Sequence, residues 1–445
     1  MIALLGLGMV TVFLYLVMSK RLSPMVSLIA VPAVFALVGG FAPDLGDMIT
    51  DGITSVAPTA AMLLFAILYF GIMIDAGLFD PIARGVVRLT RNDPLRLIVG
   101  TVALVALVSL DGDGTTTFMI TVSALLPIYR RLGVSPVIMT GLACLTNAIL
   151  NVVPWGGPAA RAASALRLDP QQLFVPMIPA LLAGLATVFV LAYVLGQRER
   201  IRLRTAAPAL VGAGGSDDVA PTSYSGSADF DVLAPDRESL RPKLYWFNAG
   251  LTIALLTALI IGVLPISVLF MIGCALALIV NYPRLEQQRD RIASHADSVV
   301  AVVAMVFAAA VFTGVLSGTG MIEQMAQYLL TAMPDALFPF FSVIVAVLSV
   351  PFTFFMSNDA FYFGVMPILA EAGAQHGISA MEIARASLLG QPIHMLSPLV
   401  PAMYVLIGLA KVDLGDHHRF AIKWALLVCA VVIGSGLALG LISIH

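Results

Sequence analysis

The chain is poor in charge. Of its 445 residues only 11% are Asp, Glu, Lys or Arg, while 60% are apolar. Soluble domains carry about a quarter charged residues, so a water-soluble globule is excluded. Cysteine is scarce as well. Cys144, Cys274 and Cys429 each lie inside an apolar run, with no CxxC pair and no Cys/His metal spacing. Neither a disulfide framework nor a bound structural metal is expected, and the three thiols read as packing residues. No nucleotide-binding motif occurs, which argues against a primary pump. The net charge of −2 says little about partners, and no nucleic-acid partner is expected. No basic residue precedes the first apolar run and no clear small-residue cleavage site follows it, so that run reads as a retained helix.

What is there is apolar sequence in long blocks. Met1–Met18, Pro24–Phe41, Val56–Ile74, Leu173–Leu195, Phe247–Val263, Ile266–Val280, Ser298–Leu316 and Phe420–Ile442 approach or reach the length of about 20 residues that crosses a bilayer. The pattern predicts an all-α polytopic membrane protein with about ten transmembrane helices, integral to a bacterial plasma membrane and surrounded by lipid.

Lys and Arg near span ends set orientation. Of the 24 basic residues, all but Arg161, Arg167 and Arg385 fall in clusters that one cytoplasmic assignment places inside. Loops 42–55 and 317–336 hold acids and no Lys or Arg, as outside loops should. The segment between Arg96 and Arg130 is then basic at both ends and must enter and leave on one side. It reads as a re-entrant hairpin, 97–130, with two short apolar arms and the tip LDGDGTTT. The opposite face supplies a second hairpin, 338–372, around FMSNDAF.

Two hairpins from opposite faces suggest an inverted repeat. YFGIMIDAGLFD (69–80) matches FTGVLSGTGMIE (312–323), sharing Gly71/Gly314 and Gly77/Gly320, and NAILNVVP (147–154) matches QPIHMLSP (391–398) at nearly the same offset. The expected organisation is a first repeat, 1–204, with three spans, the inner hairpin 97–130, an interrupted helix 136–166 and a closing span 173–195. A Gly/Ser/Pro/Asp-rich stretch, 205–243, reads as a flexible cytoplasmic linker. The second repeat, 244–445, has three spans, the outer hairpin 338–372, an interrupted helix 381–410 and a closing span 420–442. Basic, amphipathic 80–96 is expected to lie along the inner surface.

Apolar continuity breaks at four places: LDGDGTTT, TNAILNVVPWGGPAAR, FMSNDAF and GQPIHMLSP. Backbone freed at membrane depth is tolerated only when buried in protein or lining a wet cavity. Helix amino ends there bind anions, and carboxyl ends bind cations. Four breaks converging near the midplane predict one site. Thr115, Thr116, Thr117, Asn147, Asn151, Ser357, Asn358, Gln391 and Ser397 are its expected hydrogen-bonding groups for substrate carboxylates. Gly156 and Gly157 allow close backbone approach, and Arg161 offers a charge partner. Asp111, Asp113 and Asp359 are candidates to face a divalent metal, and Asp113, Asp359 and His394 to carry protons, because an ionisable group at membrane depth is expensive without a function. A hydroxyl in such a helix also has a plain structural use, bonding the preceding turn, and Asp75 reads as interfacial.

Paired hairpins with polar tips followed by interrupted helices resemble the ion transporter superfamily. Its divalent anion:sodium symporters carry Ser-Asn-Thr at each tip. Here the tips read Ser357-Asn358-Asp359 and Asp113-Gly114-Thr115, each departing by an aspartate. With MSKRLSP, DGDGTTTF, NVVPWGGPAARAA, FMSNDAFYFG and GQPIHMLSPLVPA, the whole chain looks closer to the citrate–metal:proton symporter (CitMHS) family. That resemblance implies a substrate of citrate complexed with a divalent metal such as Mg or Ca, carried inward with protons. It also implies a homodimer working by an elevator motion, with no cofactor beyond the transported metal. A proton- or sodium-coupled carrier of another di- or tricarboxylate or an oxyanion is the alternative, and a sodium/proton antiporter a more distant one. An intramembrane aspartyl protease would need GxGD, which LDGDG does not supply.

Overall fold

In the computed structural model the described residues are 2–90, 93–211, 238–332 and 334–444, and they are helical throughout, with no strand among them. The helices of the first half are α1 (Ile2–Met18), α2 (Pro24–Val38), α3 (Leu45–Asp75), α4 (Asp80–Thr90), α5 (Pro94–Val108), α6 (Gly114–Arg131), α7 (Pro136–Leu150), α8 (Gly157–Leu166), α9 (Pro170–Phe174) and α10 (Ile178–Val211). The second half holds α11 (Tyr245–Ile261), α12 (Ile266–Asn281), α13 (Leu285–Ser294), α14 (Ala296–Gly318), α15 (Met321–Ala332), α16 (Phe341–Phe355), α17 (Met366–Ala374), α18 (Ala380–Leu389), α19 (Pro401–Ala410) and α20 (Leu414–Ala438). Seven helical segments among the described residues are long and apolar enough to cross a membrane, and six shorter apolar helices accompany them.

Local sequence explains where these helices begin. Ser23, Asp93, Ser135 and Asp169 each precede a proline and accept a hydrogen bond from an amide of the first turn. The side chain satisfies an orphan donor, and proline fills the position whose N–H is not needed. The same signal corrects one expectation. The amphipathic segment 80–96 is not one surface helix: α4 ends at Thr90, and Asp93-Pro94 starts α5. The closing helices also shift. α10 runs on to Val211, into the stretch read as linker, and α20 spans Leu414–Ala438 in place of 420–442. Most of the expected linker, 212–237, lies outside the described residues.

The two halves interlock. α3 packs along α14, while α2 packs on α14 and α12 on α3. Small residues permit the α3–α14 approach: a Cβ on Gly52 would meet the Ala310 carbonyl oxygen at 2.3 Å, and one on Gly314 would meet the Met48 carbonyl oxygen at 2.4 Å. α5 and α6 lie side by side and antiparallel, since the Thr101 and Tyr129 hydroxyls are 2.8 Å apart. Arg96 and Arg130 therefore lie toward one end of that hairpin and Gly112 at the other. The arms are longer than the apolar runs suggested. Pro94–Asp111 and Ala336–Phe355 both reach spanning length, so arm length alone is no argument for re-entry.

Candidate functional site

A cavity of about 840 Å³ opens beside Asp75, His295 and Ser298, at the adjoining ends of α3 and α14, and reaches the tip of the first hairpin. Its inner wall carries Asp111, Gly112, Asp113, Thr115, Thr116, Gly157 and Arg161. These are expected site residues from two of the four breaks.

The tip is shaped by its own polar groups. α5 ends in a tight turn, Ser109–Asp111, and Gly112 follows at φ +79°, a left-handed conformation that costs a side-chain-bearing residue about 1–2 kcal/mol. Asp111 Oδ1 accepts the Asp113 amide at 2.9 Å. The Asp113 carboxylate accepts the amides of Thr115 at 3.2 Å and Thr116 at 2.8 Å. The amino end of α6 is thus already capped by an anion of the chain itself. Asp113 faces the cavity with its remaining lone pairs. Thr117 lies one residue further along and is fully buried, so it does not line the cavity.

The break between α7 and α8 holds this tip in place. Trp155 donates its indole N–H to the Leu110 carbonyl at 2.9 Å and stacks on Phe70 at 5.4 Å. Asn147 donates to Ser109 Oγ at 3.0 Å. The chain turns so tightly that a Cβ on Gly156 would sit 2.0 Å from the Asn151 carbonyl oxygen. Asn147, Asn151 and Gly156 therefore support the wall from behind. Gly156 precedes α8 and supplies no side-chain cap, whereas Asp113 caps α6. Arg161 extends from its second turn.

The second-repeat candidates form a separate buried knot. Gln391 donates to Asn358 Oδ1 at 2.8 Å, and the Tyr362 hydroxyl donates to Gln391 Oε1 at 3.0 Å. Ser357 Oγ accepts the Ala360 amide at 3.2 Å, and Ser397 Oγ accepts the Leu399 amide at 3.2 Å. His394 Nδ1 lies 2.5 Å from the Thr353 carbonyl oxygen. None of Ser357, Asn358, Asp359, Gln391, His394 or Ser397 lines the cavity. One bond joins the two groups: Arg161 Nε donates to Asp359 Oδ1 at 2.6 Å. Among the described residues no three His, Cys, Asp or Glu side chains gather around one point where a metal would be held.

The family model described as "CitMHS: Citrate transporter" matches residues 3–390. The chain belongs to this citrate transporter family. A Bacillus subtilis (strain 168) protein named "Citrate transporter" is 52% identical over 443 residues, covering 100% of both chains. Another from the same organism, named "Mg(2+)/citrate complex secondary transporter", is 48% identical over 445 residues, again covering 100% of both. Among solved structures, the YdaH transporter of Alcanivorax borkumensis, described as having an unusual topology, superposes with a TM-score of 0.52 at 14% identity over 99% of this chain and 98% of that one. At that identity the likeness concerns the fold alone. Membership in the CitMHS family makes this chain a transporter and not an enzyme, and its helices make it a multi-pass plasma-membrane protein.

Several groups at this CitMHS cavity and in the buried cluster beside it are not announced by the sequence. Trp155 sits inside a quoted motif, yet nothing local announces that its N–H holds a tip 45 residues away. Asp75, read as interfacial, stands at the cavity mouth. Its Oδ2 lies 3.1 Å from Arg291 and 3.0 Å from His295 Nε2. Tyr362 was an aromatic in an aromatic run. Its polar partner, Gln391, comes from another break.

Proposed function

We propose that the chain imports citrate complexed with a divalent metal ion, Mg or Ca among the candidates, in symport with protons. The observation that carries this reading is Arg161, a cationic residue that is paired with the Asp359 carboxylate and lines the same cavity as the carboxylate of Asp113. Free citrate is a trianion, and chelation of a divalent cation leaves a single net negative charge, which lowers the desolvation cost of entering an apolar-walled site. Such a complex presents carboxylate oxygens on one side and metal on the other. Arg161 and the uncapped start of α8 suit the first, while the oxygens of Asp113 and Asp111 suit the second. Citrate supplies part of the metal's shell as cargo, so the absence of a three-carboxylate cluster among the described residues is compatible with the role.

Arg161 also links substrate to proton. A citrate carboxylate that takes over Arg161 releases Asp359 from its partner. Binding on one side of Arg161 thereby frees Asp359 on the other, the group assigned here to proton coupling. His394 lies near both charges and is the next proton carrier. The re-entrant reading is supported by the basic residues at both ends of the first hairpin and by its tip, which lines the cavity. An elevator motion of the hairpins and interrupted helices against α1–α3, α11, α12 and α14, in a homodimer, completes the reading.

Uptake of labelled citrate into proteoliposomes under an inward proton gradient tests it, with each divalent metal in turn and an EDTA control. Uptake that requires a metal, with the metal co-accumulating, is expected. Uptake indifferent to metal would mean that free carboxylate is carried, as in the alternative of a metal-free di- or tricarboxylate transporter, and would leave Asp113 and Asp359 with protons alone.

A further inference from the structure

A second cavity, of about 490 Å³, lies between α4 and the start of α11. We propose that it holds the phosphate of an anionic phospholipid. Arg84 and Arg88 line it, one helical turn apart on one face of α4. Neither has an acidic side-chain partner among the described residues. Arg84 donates only to the Asp80 carbonyl oxygen at 3.3 Å, and Arg88 makes no hydrogen bond or ion pair there. The one carboxylate on the rim is Asp80, which leaves the lining with a net positive charge.

The rest of the lining fits a lipid better than a soluble anion. Ala76, Pro81, Val87 and Pro242 form apolar walls. Val86, on the opposite face of α4, packs against Gly100 of α5, so the arginine face is the free one. The cavity lies where a bilayer surface is expected. α4 follows directly on the end of α3, the Arg241 amide donates to the Ala76 carbonyl oxygen at 3.1 Å, and Tyr245, in the lining, adjoins Trp246, which is 82% exposed. Paired aromatics at a span end mark the membrane–water interface, and basic pockets at that level bind acidic headgroups. Leu89, beside Arg88 on α4, is 68% exposed and adds apolar surface next to the arginine face. A lipid seated here touches α4, which leads into the first hairpin, and the start of α11 together. If the elevator reading holds, its occupancy also sets the rate of that motion. The binding itself does not depend on that reading.

Native mass spectrometry of the full-length protein in detergent, titrated with phosphatidylglycerol or phosphatidylcholine, tests the site. Wild type should retain one tightly held phosphatidylglycerol and no equivalent phosphatidylcholine. Each basic side chain near a membrane surface contributes enough that R84Q/R88Q should bind phosphatidylglycerol about 30-fold more weakly. R88Q alone removes a side chain that bonds to nothing else described, so it leaves the fold intact and should weaken binding about 5-fold. R84K/R88K should keep most of the affinity. Equal retention in wild type and R88Q would overturn the proposal. So would displacement of the lipid by inorganic phosphate at equal concentration, which would make this a soluble-anion site. Because the readout is bound lipid, it stands apart from whether citrate or metal is transported.

Discussion

Arg161 and Asp359, 198 positions apart in sequence, form a 2.6 Å ion pair that ties α8 to the segment following α16. The pair is the direct link between the cavity wall and the buried knot behind it. On the proposed function, Arg161→Gln removes the charge that would meet a substrate carboxylate. A hydrogen bond to a charged group contributes about 1.5–3 kcal/mol, so citrate affinity should fall roughly 10- to 150-fold. The measurement is the concentration dependence of uptake in proteoliposomes, with protein folding checked by thermal unfolding. An unchanged KM would remove Arg161 from substrate binding.

Asp359→Asn keeps the acceptor oxygen opposite Arg161 and removes the carboxylate that the proposed function assigns to proton coupling. Citrate-driven proton entry, followed with a pH-sensitive dye trapped in the vesicles, should drop relative to citrate entry. If Asp359 only anchors Arg161, the ratio of protons to citrate stays at the wild-type value and the rate alone changes.

The tight turns around the tip give a steric prediction. Gly156→Ala places a methyl 2.0 Å from the Asn151 carbonyl oxygen, and Gly112→Ala combines φ +79° with a 2.9 Å approach to the Trp155 ring. Both contacts are with groups that cannot yield cheaply, backbone in one case and a stacked indole in the other. Destabilisation of about 1–3 kcal/mol is expected for Gly112→Ala and more for Gly156→Ala. Gly85, in α4 with open space around its Cβ position, serves as control: Gly85→Ala should stabilise by up to about 1 kcal/mol. Melting temperatures in detergent order the three variants. A Gly156→Ala protein as stable as Gly85→Ala would contradict the turn geometry.

Much of this architecture is legible in the sequence because its causes are local. A run of apolar residues is a helix in a bilayer, Ser-Pro or Asp-Pro starts one, and a polar patch inside an apolar run marks a break. Those rules place α5 through α8 and α16 through α19 within a few residues. What the pattern does not carry is pairing between distant segments. Asp113 looks free in DGDGTTT, yet its carboxylate is taken up by the two amides that follow it. Thr115 and Thr117 have the same chemistry in sequence, but only the first faces the cavity, because successive helix positions point about 100° apart. The boundary at Asp93 was readable from its proline. The basic face of α4 and the basic start of α5 mask it, because together they form one stripe in the sequence.

Trp155→Phe isolates one hydrogen bond. Phenylalanine preserves stacking on Phe70 and drops the indole N–H that reaches the Leu110 carbonyl at 2.9 Å. The net stability cost should be about 1 kcal/mol. Transport should suffer beyond that, since the bond fixes the tip that carries Asp111 and Asp113. A maximal rate several-fold lower with little loss of stability is expected from uptake and unfolding measured on one preparation. Equal, small effects on both would reduce Trp155 to a packing residue.

Asp93 gives a pH dependence outside the spans. It caps α5 by accepting the Leu95 amide at 3.1 Å and is clasped by Arg200 of α10, with Arg96 3.7 Å away. The hydrogen bonds from the Arg200 guanidinium hold its carboxyl below the ordinary value of 3.8. A carboxylate whose folded pKa is depressed contributes stability that is fully present above the unfolded value. That contribution is lost as pH falls through the folded one. The link between the first arm of the hairpin and the long closing helix should therefore hold at neutral pH and weaken only below about pH 4. Asp93→Asn removes the titration and most of the attraction at every pH. Its melting temperature should lie below wild type at pH 6, and the gap should narrow as pH drops from 4 toward 3. A gap that stays constant over that range would mean that the Asp93–Arg200 contact contributes no charge-dependent stability.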